Sequence, residues 1–352
     1  MFSTLPFGYM FLLVMGAGTL LSISSIHWLS IWAGLEINLI GFLPMLVYQK
    51  SVSESESAVK YFIAQALGSS FLIFGSLLMF NISFTWDLYA LMSFKTFGFL
   101  VMVSGLCVKL GLFPFHYWLP SVMAGLPWVT CLLLGTWQKI APLFLMLCLV
   151  EMNHSYTLIL ILCIISAGSS LVGGFGGMNQ TQIRALLAYS SIGHLGWMTF
   201  ALLHSEWAMK FYLGVYIVIS ICMFLSLWKQ ESGNMKNIDG LKYSKSMQMN
   251  IMILLLSLGG LPPLLGFISK WLVVLVGTGN ALLWTLSLLI LGSLMSLFYY
   301  LSLFFSVFLS SIKKESIVGG GNMGMSSMLV FIVTLNLLGG IFLLSNNLFS
   351  IL

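Results

Sequence analysis

Long apolar runs alternate with short polar clusters along the whole chain. A helix needs about 20 largely apolar residues to cross a bilayer. Eleven runs approach that length, at roughly 4–22, 26–48, 58–80, 96–118, 126–148, 156–174, 181–202, 208–228, 247–271, 280–310 and 326–345. Only two breaks are substantial, 229–246 (KQESGNMKNIDGLKYSKS) and 311–325 (SIKKESIVGGGNMGM). Neither is long enough to build a domain outside the bilayer. The pattern predicts an all-α polytopic membrane protein, a single transmembrane domain over 1–352 with about eleven transmembrane helices.

Composition agrees with the pattern. Of 352 residues, 59% are hydrophobic and only 7% charged, whereas soluble domains carry about 25% charged residues. The formal net charge of +5 is scattered over loops without a basic stripe, which argues against nucleic-acid binding. Cys107, Cys131, Cys148, Cys163 and Cys222 all fall in apolar runs and form no CxxC. They read as packing residues rather than metal ligands or disulfides. The opening MFSTLPFGYMFLLVMGAG lacks a basic n-region, so no cleavable signal is expected.

Loop charges give the orientation. Eleven crossings place Lys50, Lys60, Arg184, Lys229, Lys236, Lys242, Lys245, Lys313 and Lys314 on the N-terminal side, against Lys95 and Lys210 opposite. Positive residues favour the cytoplasmic or matrix side, so the N-terminus is expected there.

The charges inside the runs carry the candidate chemistry. Glu36 lies in the second run, Lys109 in the fourth, Lys139 in the fifth and Lys270 in the ninth; His116 and His194 lie in the fourth and seventh. His27, His154 and His204 sit near predicted ends, where an interfacial role suffices. Four unpaired charges at membrane depth would cost on the order of 10 kcal/mol together. Either they form locked structural pairs or they line a proton or ion path. Burial and neighbouring charge both shift the proton affinity of such groups. A Glu–Lys pair about 6 Å apart is worth roughly 3 kcal/mol at an effective dielectric near 20. Separating Glu36 from Lys109 by a few ångströms would therefore be enough to move a proton. His194 has a simpler alternative, since Ser190 one turn earlier could satisfy it.

Runs four and nine share a further feature. KLGLFPFHYWLP and SLGGLPPLLGFISKW each set proline near a lysine. Proline removes a backbone donor and disturbs the preceding turn, so both helices should kink or unwind, which is tolerated at depth only where backbone is buried or lines a cavity. The two runs are five helices apart, and an odd period inverts the second copy. The expected layout is inverted five-helix repeats, about 1–150 and 151–310, with a C-terminal helix at 326–345, as in inverted-repeat transporters. The literal G-x-G-x-x-G in GGGNMG (319–324) follows no strand and precedes a membrane span, so it is read as a glycine-rich loop. The chain shows no Ser/His/Asp cluster, metal spacing or redox-cofactor ligand set.

Taken in order, WAGLEIN, SESESAVKYFIAQALGSS, KLGLFPFHYWLP, TWQKIAP, AYSSIGHLGWM and SLGGLPP resemble the antiporter-like membrane-arm subunits of NADH:ubiquinone oxidoreductase, respiratory complex I, in their shortened animal mitochondrial form. The resemblance implies proton translocation across the mitochondrial inner membrane, with the N-terminus on the matrix side. Electron transfer from NADH to ubiquinone would occur in other subunits, which would carry FMN and iron–sulfur clusters; no cofactor is expected on this chain. It implies other membrane-arm subunits and membrane lipids as partners. It places an ion pair on Glu36 and Lys109, a central lysine on Lys139 and a distal lysine on Lys270; His116 and His194 join the expected relay from their place inside the apolar runs. Leu265 stands where relatives often carry a threonine, removing a hydroxyl near Lys270. A stand-alone cation/proton antiporter and a structural spacer are the competing readings.

Overall fold

The structure, a computed structural model, describes residues 7–48, 51–87, 96–152, 155–228, 245–279, 282–317 and 334–337. Most of the 229–246 and 311–325 loops, GGGNMG, His154, Lys50, Lys95 and nearly all of 326–345 lie outside the described residues. Every described element is a helix, as expected where backbone groups must be satisfied within their own segment.

The chain divides into two compact units, Met1–Ile165 and Ser166–Leu352. The first holds α1 (Gly8–Ser24), α2 (Trp28–Leu46), α3 (Val52–Ser83), α4 (Thr96–Leu110), α5 (Trp118–Gly125), α6 (Trp128–Gly135) and α7 (Trp137–Met152). Helix α8 (Tyr156–Met178) runs through the boundary. The second holds α9 (Ile183–His204), α10 (Glu206–Trp228), α11 (Lys245–Gly259), α12 (Leu265–Thr278) and α13 (Leu283–Ile317). Among the described residues, seven helical stretches are long and apolar enough to cross a membrane: Trp28–Leu46, Val52–Asn81, Trp128–Met152, Tyr156–Met178, Ile183–His204, Glu206–Trp228 and Leu283–Leu309. Four shorter apolar helices, Gly8–Ser24, Phe97–Leu110, Gln248–Gly259 and Leu265–Thr278, accompany them.

Several helix boundaries differ from the hydropathy reading. Helix α3 begins at Val52, ahead of its apolar stretch, because Ser51 caps it and accepts from Glu54 N at 3.2 Å. This Ser-x-x-Glu start satisfies an orphan backbone donor in a polar first turn. The span read at 126–148 is interrupted at Thr136, which separates α6 from α7. The span read at 247–271 is two helices, with Lys270 on the second.

The two proline-bearing runs stop by one device. At the end of α4, Gly111 adopts φ +72, Gly111 N donates to Val108 O at 3.2 Å and Leu112 N to Cys107 O at 3.0 Å. At the end of α11, Gly260 adopts φ +79, Gly260 N donates to Ser257 O at 3.1 Å and Leu261 N to Leu256 O at 3.3 Å. Both are Schellman closures, in which a left-handed glycine folds the chain back over its last turn. The helix therefore ends at the glycine, before the proline is reached. The Phe113–Pro114 and Pro262–Pro263 peptides are cis.

Close backbone contact packs the first unit. Helix α1 lies on α2, where a Cβ at Gly18 would sit 2.5 Å from Asn38 N. Small residues of this kind drive helix association in lipid, where burying apolar surface gains little. Four cysteines are buried, Cys148 is partly so, and all five remain thiols.

Candidate functional site

Helices α2 to α7 wall a small pocket in the first unit. Its polar lining is Asn38, Tyr61, Gln65, Lys109, Gln138 and Lys139; Leu35, Leu39, Trp118 and Leu134 contribute apolar wall. Lys109 and Lys139 are only 6% and 3% exposed. The structure thus brings together two of the lysines expected from the sequence.

Each lysine stands beside an interruption. Lys109 occupies the last turn of α4, where the helix dipole favours a cation. Its stem passes over Gly68 on α3, where a Cβ would meet Lys109 Cγ at 2.7 Å. The Cys107, Val108 and Lys109 carbonyls of that last turn are engaged. Beyond the Schellman bonds, Trp118 Nε1 donates to Val108 O at 3.0 Å and Gln65 Nε2 to Lys109 O at 3.2 Å. Lys139 follows Thr136, whose hydroxyl donates back to Leu132 O at 2.7 Å. Pro142 inside α7 supplies no N–H to the Gln138 carbonyl.

Asn38 and Gln138 bond reciprocally across the pocket. Asn38 Nδ2 donates to Gln138 Oε1 at 2.8 Å, and Gln138 Nε2 donates to Asn38 Oδ1 at 3.1 Å.

Glu36 stays within electrostatic reach of Lys109. Among the described residues no ion pair within 4.0 Å joins it to Lys109, and it is not part of the pocket wall. Its Oε1 is buried without a hydrogen-bond partner, while its charge acts through space on Lys109 and on Tyr61. His116 lies between α4 and α5, 5% exposed, with its ring 4.0 Å from that of Tyr117. Its Nδ1 is buried without a hydrogen-bond partner.

A second small pocket lies in the second unit. It is lined by Ser170, Ser190, His194, Trp197, Lys270, Ser293, Ser296 and Tyr300, with Gly193 and Gly292. Lys270 Nζ donates to Gly259 O at 2.9 Å, so the ammonium caps the end of α11. His194 Nδ1 lies 2.8 Å from Tyr212 Oη, and its ring packs 5.2 Å from that of Tyr216. Ser190 Oγ donates to Leu187 O at 2.7 Å.

These buried lysines differ from the surface ion pairs, His27–Asp87 at 2.7 Å, Lys60–Glu56 at 2.6 Å and Lys210–Glu206, all of which are exposed. Such pairs contribute roughly 0–1 kcal/mol. Asn38, Gln65 and Gln138, and the second-pocket serines Ser170, Ser293 and Ser296, went unremarked in the sequence. The available signal was a polar amide inside an apolar run and the three-residue spacing of Ser293 and Ser296.

The family "NADH:quinone oxidoreductase/Mrp antiporter, TM" matches residues 25–296. The NADH-ubiquinone oxidoreductase chain 2 of Anopheles gambiae is 40% identical over 309 residues, covering 87% of each chain. The chain belongs to the NADH-ubiquinone oxidoreductase chain 2 family. Lumbricus terrestris has a chain 2 that is 38% identical and aligns with 82% of this chain and 83% of its own length. Among solved structures, this chain 2 family member is similar to a chain of respiratory complex I from Thermus thermophilus. That match has a TM-score of 0.80 and 26% identity over 98% of this chain and 78% of the other. A chain of an archaeal membrane-bound sulfane sulfur reductase shares the fold, with a TM-score of 0.82 at 20% identity over 95% of this chain and 72% of the other.

Proposed function

We propose that this multi-pass chain is a core membrane subunit of respiratory complex I and that its buried lysines carry protons across the mitochondrial inner membrane. The observation that carries the residue assignment is the shared pocket of Lys109 and Lys139. An ammonium donates a proton and the resulting amine accepts one, so each lysine is a storage site. Two of them in one pocket are not independent, because charging one raises the cost of charging the other. A proton arriving at one therefore favours departure from its neighbour. Glu36 acts on Lys109 through space rather than by contact. Lys270 and His194 form the corresponding storage groups of the second pocket, and His116 is the remaining candidate of the relay.

Electron transfer belongs to other subunits of the assembly, with FMN, iron–sulfur clusters and ubiquinone held there. Eleven crossings with inverted repeats, the N-terminus in the matrix and contact with membrane lipids complete the reading. The twin Schellman ends, Gly111 and Gly260, support the repeat. The test is Glu36→Gln in assembled complex reconstituted into vesicles. Proton translocation driven by NADH should fall while assembly is retained. Unchanged translocation in assembled complex would remove Glu36 from the relay, and a failure to assemble would assign it a structural role.

A further inference from the structure

We propose that the Asn38–Gln138 amide pair is an insulating clamp: it closes one wall of the lysine pocket to proton passage while joining α2 to α7. The proposal rests on the assignment of Lys109 and Lys139 as proton carriers.

Chemistry sets the argument. A wire of hydrogen bonds passes a proton only through groups that accept on one side and release on the other. Water, hydroxyls and imidazole do this. A side-chain amide keeps its donors on nitrogen and its acceptor on oxygen, and cannot exchange them without passing through an imidic acid. Asn38 and Gln138 turn one donor and one acceptor each toward the other, at 2.8 and 3.1 Å. The ring so formed is closed, neutral and non-titrating, and it stands in the same wall as two buried lysines.

Location strengthens the case. Gln138 directly precedes Lys139, in the first turn after the Thr136 interruption. Pro142 deprives the Gln138 carbonyl of its helical donor. The start of α7 is thus held less firmly by its own helix, and a cross-helix bond from Asn38 fixes it. The second pocket has a different lining, with Ser170, Ser190, Ser293, Ser296 and Tyr300 around its lysine. A hydroxyl can both accept and release a proton once it turns from its helix carbonyl; the paired amides of the first pocket cannot.

The test compares two substitutions in assembled, reconstituted complex, with passive proton flux measured without NADH. Asn38→Ser opens the clamp and supplies a hydroxyl with room for water. Asn38→Leu opens it and supplies hydrocarbon. Insulation requires a severalfold rise in passive flux for Asn38→Ser and tight vesicles for Asn38→Leu. A merely structural pair would make the two behave alike, and equal flux overturns the proposal. If neither variant assembles, the same contrast is made with Gln138→Ser and Gln138→Leu; failure of those to assemble makes the pair structural and also overturns it. Lys139→Met separates the two levels of the argument. Intact translocation in that variant refutes the lysine assignment, whereas lost translocation beside tight Asn38→Ser vesicles refutes the clamp alone.

Discussion

Helices α4 and α11 both stop at a left-handed glycine, Gly111 and Gly260, with the same pair of backbone bonds, yet the nearby lysine is held differently. In the first unit Lys109 belongs to the helix that ends. A neutral amide, Gln65, satisfies its carbonyl, and the side chain lines a pocket shared with Lys139. In the second unit Lys270 comes from the helix that follows, and its ammonium itself satisfies Gly259 O. A carbonyl left over by a broken helix must find a donor. Whether an amide or a lysine provides it decides what the lysine's charge is available to do. Each pocket holds a second titratable group, Lys139 in one and His194 in the other, but in the second unit the lysine's ammonium also caps a helix end.

The largest expected effect comes from Lys139→Met. It removes the partner of Lys109 and should abolish NADH-driven proton translocation in assembled complex, measured by dye response in vesicles. Retained pumping would break the contrast at its functional end. Gln65→Leu tests the structural end. It strands the Lys109 carbonyl, and a buried unsatisfied group costs about 1–3 kcal/mol. Assembled yield should fall, and hydrogen exchange at the end of α4 should rise. A variant as stable as the parent would mean that the amide is dispensable.

Gly111→Ala and Gly260→Ala sharpen the comparison further. Both force a Cβ into left-handed backbone, at about 1–2 kcal/mol. At Gly111 the added atom would meet Leu119 Cδ1 at 3.0 Å, but at Gly260 it would meet Lys270 Nζ at 3.0 Å. Similar losses of assembled complex are expected from the two, with a drop in proton translocation per assembled complex only for Gly260→Ala. Equal drops would show that the Lys270 cap has no separate role.

The helices were legible because a bilayer leaves the backbone few alternatives, so a long apolar run is a helix before any packing is known. Lys109, Lys139 and Lys270 were legible for a related reason, since charge at depth is costly. The pairing of those charges was not. Opposite charge suggested Glu36 with Lys109, and Glu36 does act on Lys109 through space, but nothing in the sequence signalled that the packing of α4 on α7 would set Lys109 and Lys139 in one pocket. Asn38 and Gln138, 100 residues apart, meet only once the helices are assembled. The stop at Gly111 was hidden by the more conspicuous Pro114. Proline explains why a helix cannot continue, while the glycine supplies the fold-back that ends it.

The burial of the native sulfurs has a practical consequence. With Cys107, Cys131, Cys163 and Cys222 buried and only Cys148 partly so, a water-borne maleimide meets little background. A single cysteine placed at Lys60 or at Lys210, both exposed, would report from which face of a sealed vesicle it can be reached. On the topology proposed above those two positions lie on opposite faces, so one should label from outside and the other only after the vesicle is opened.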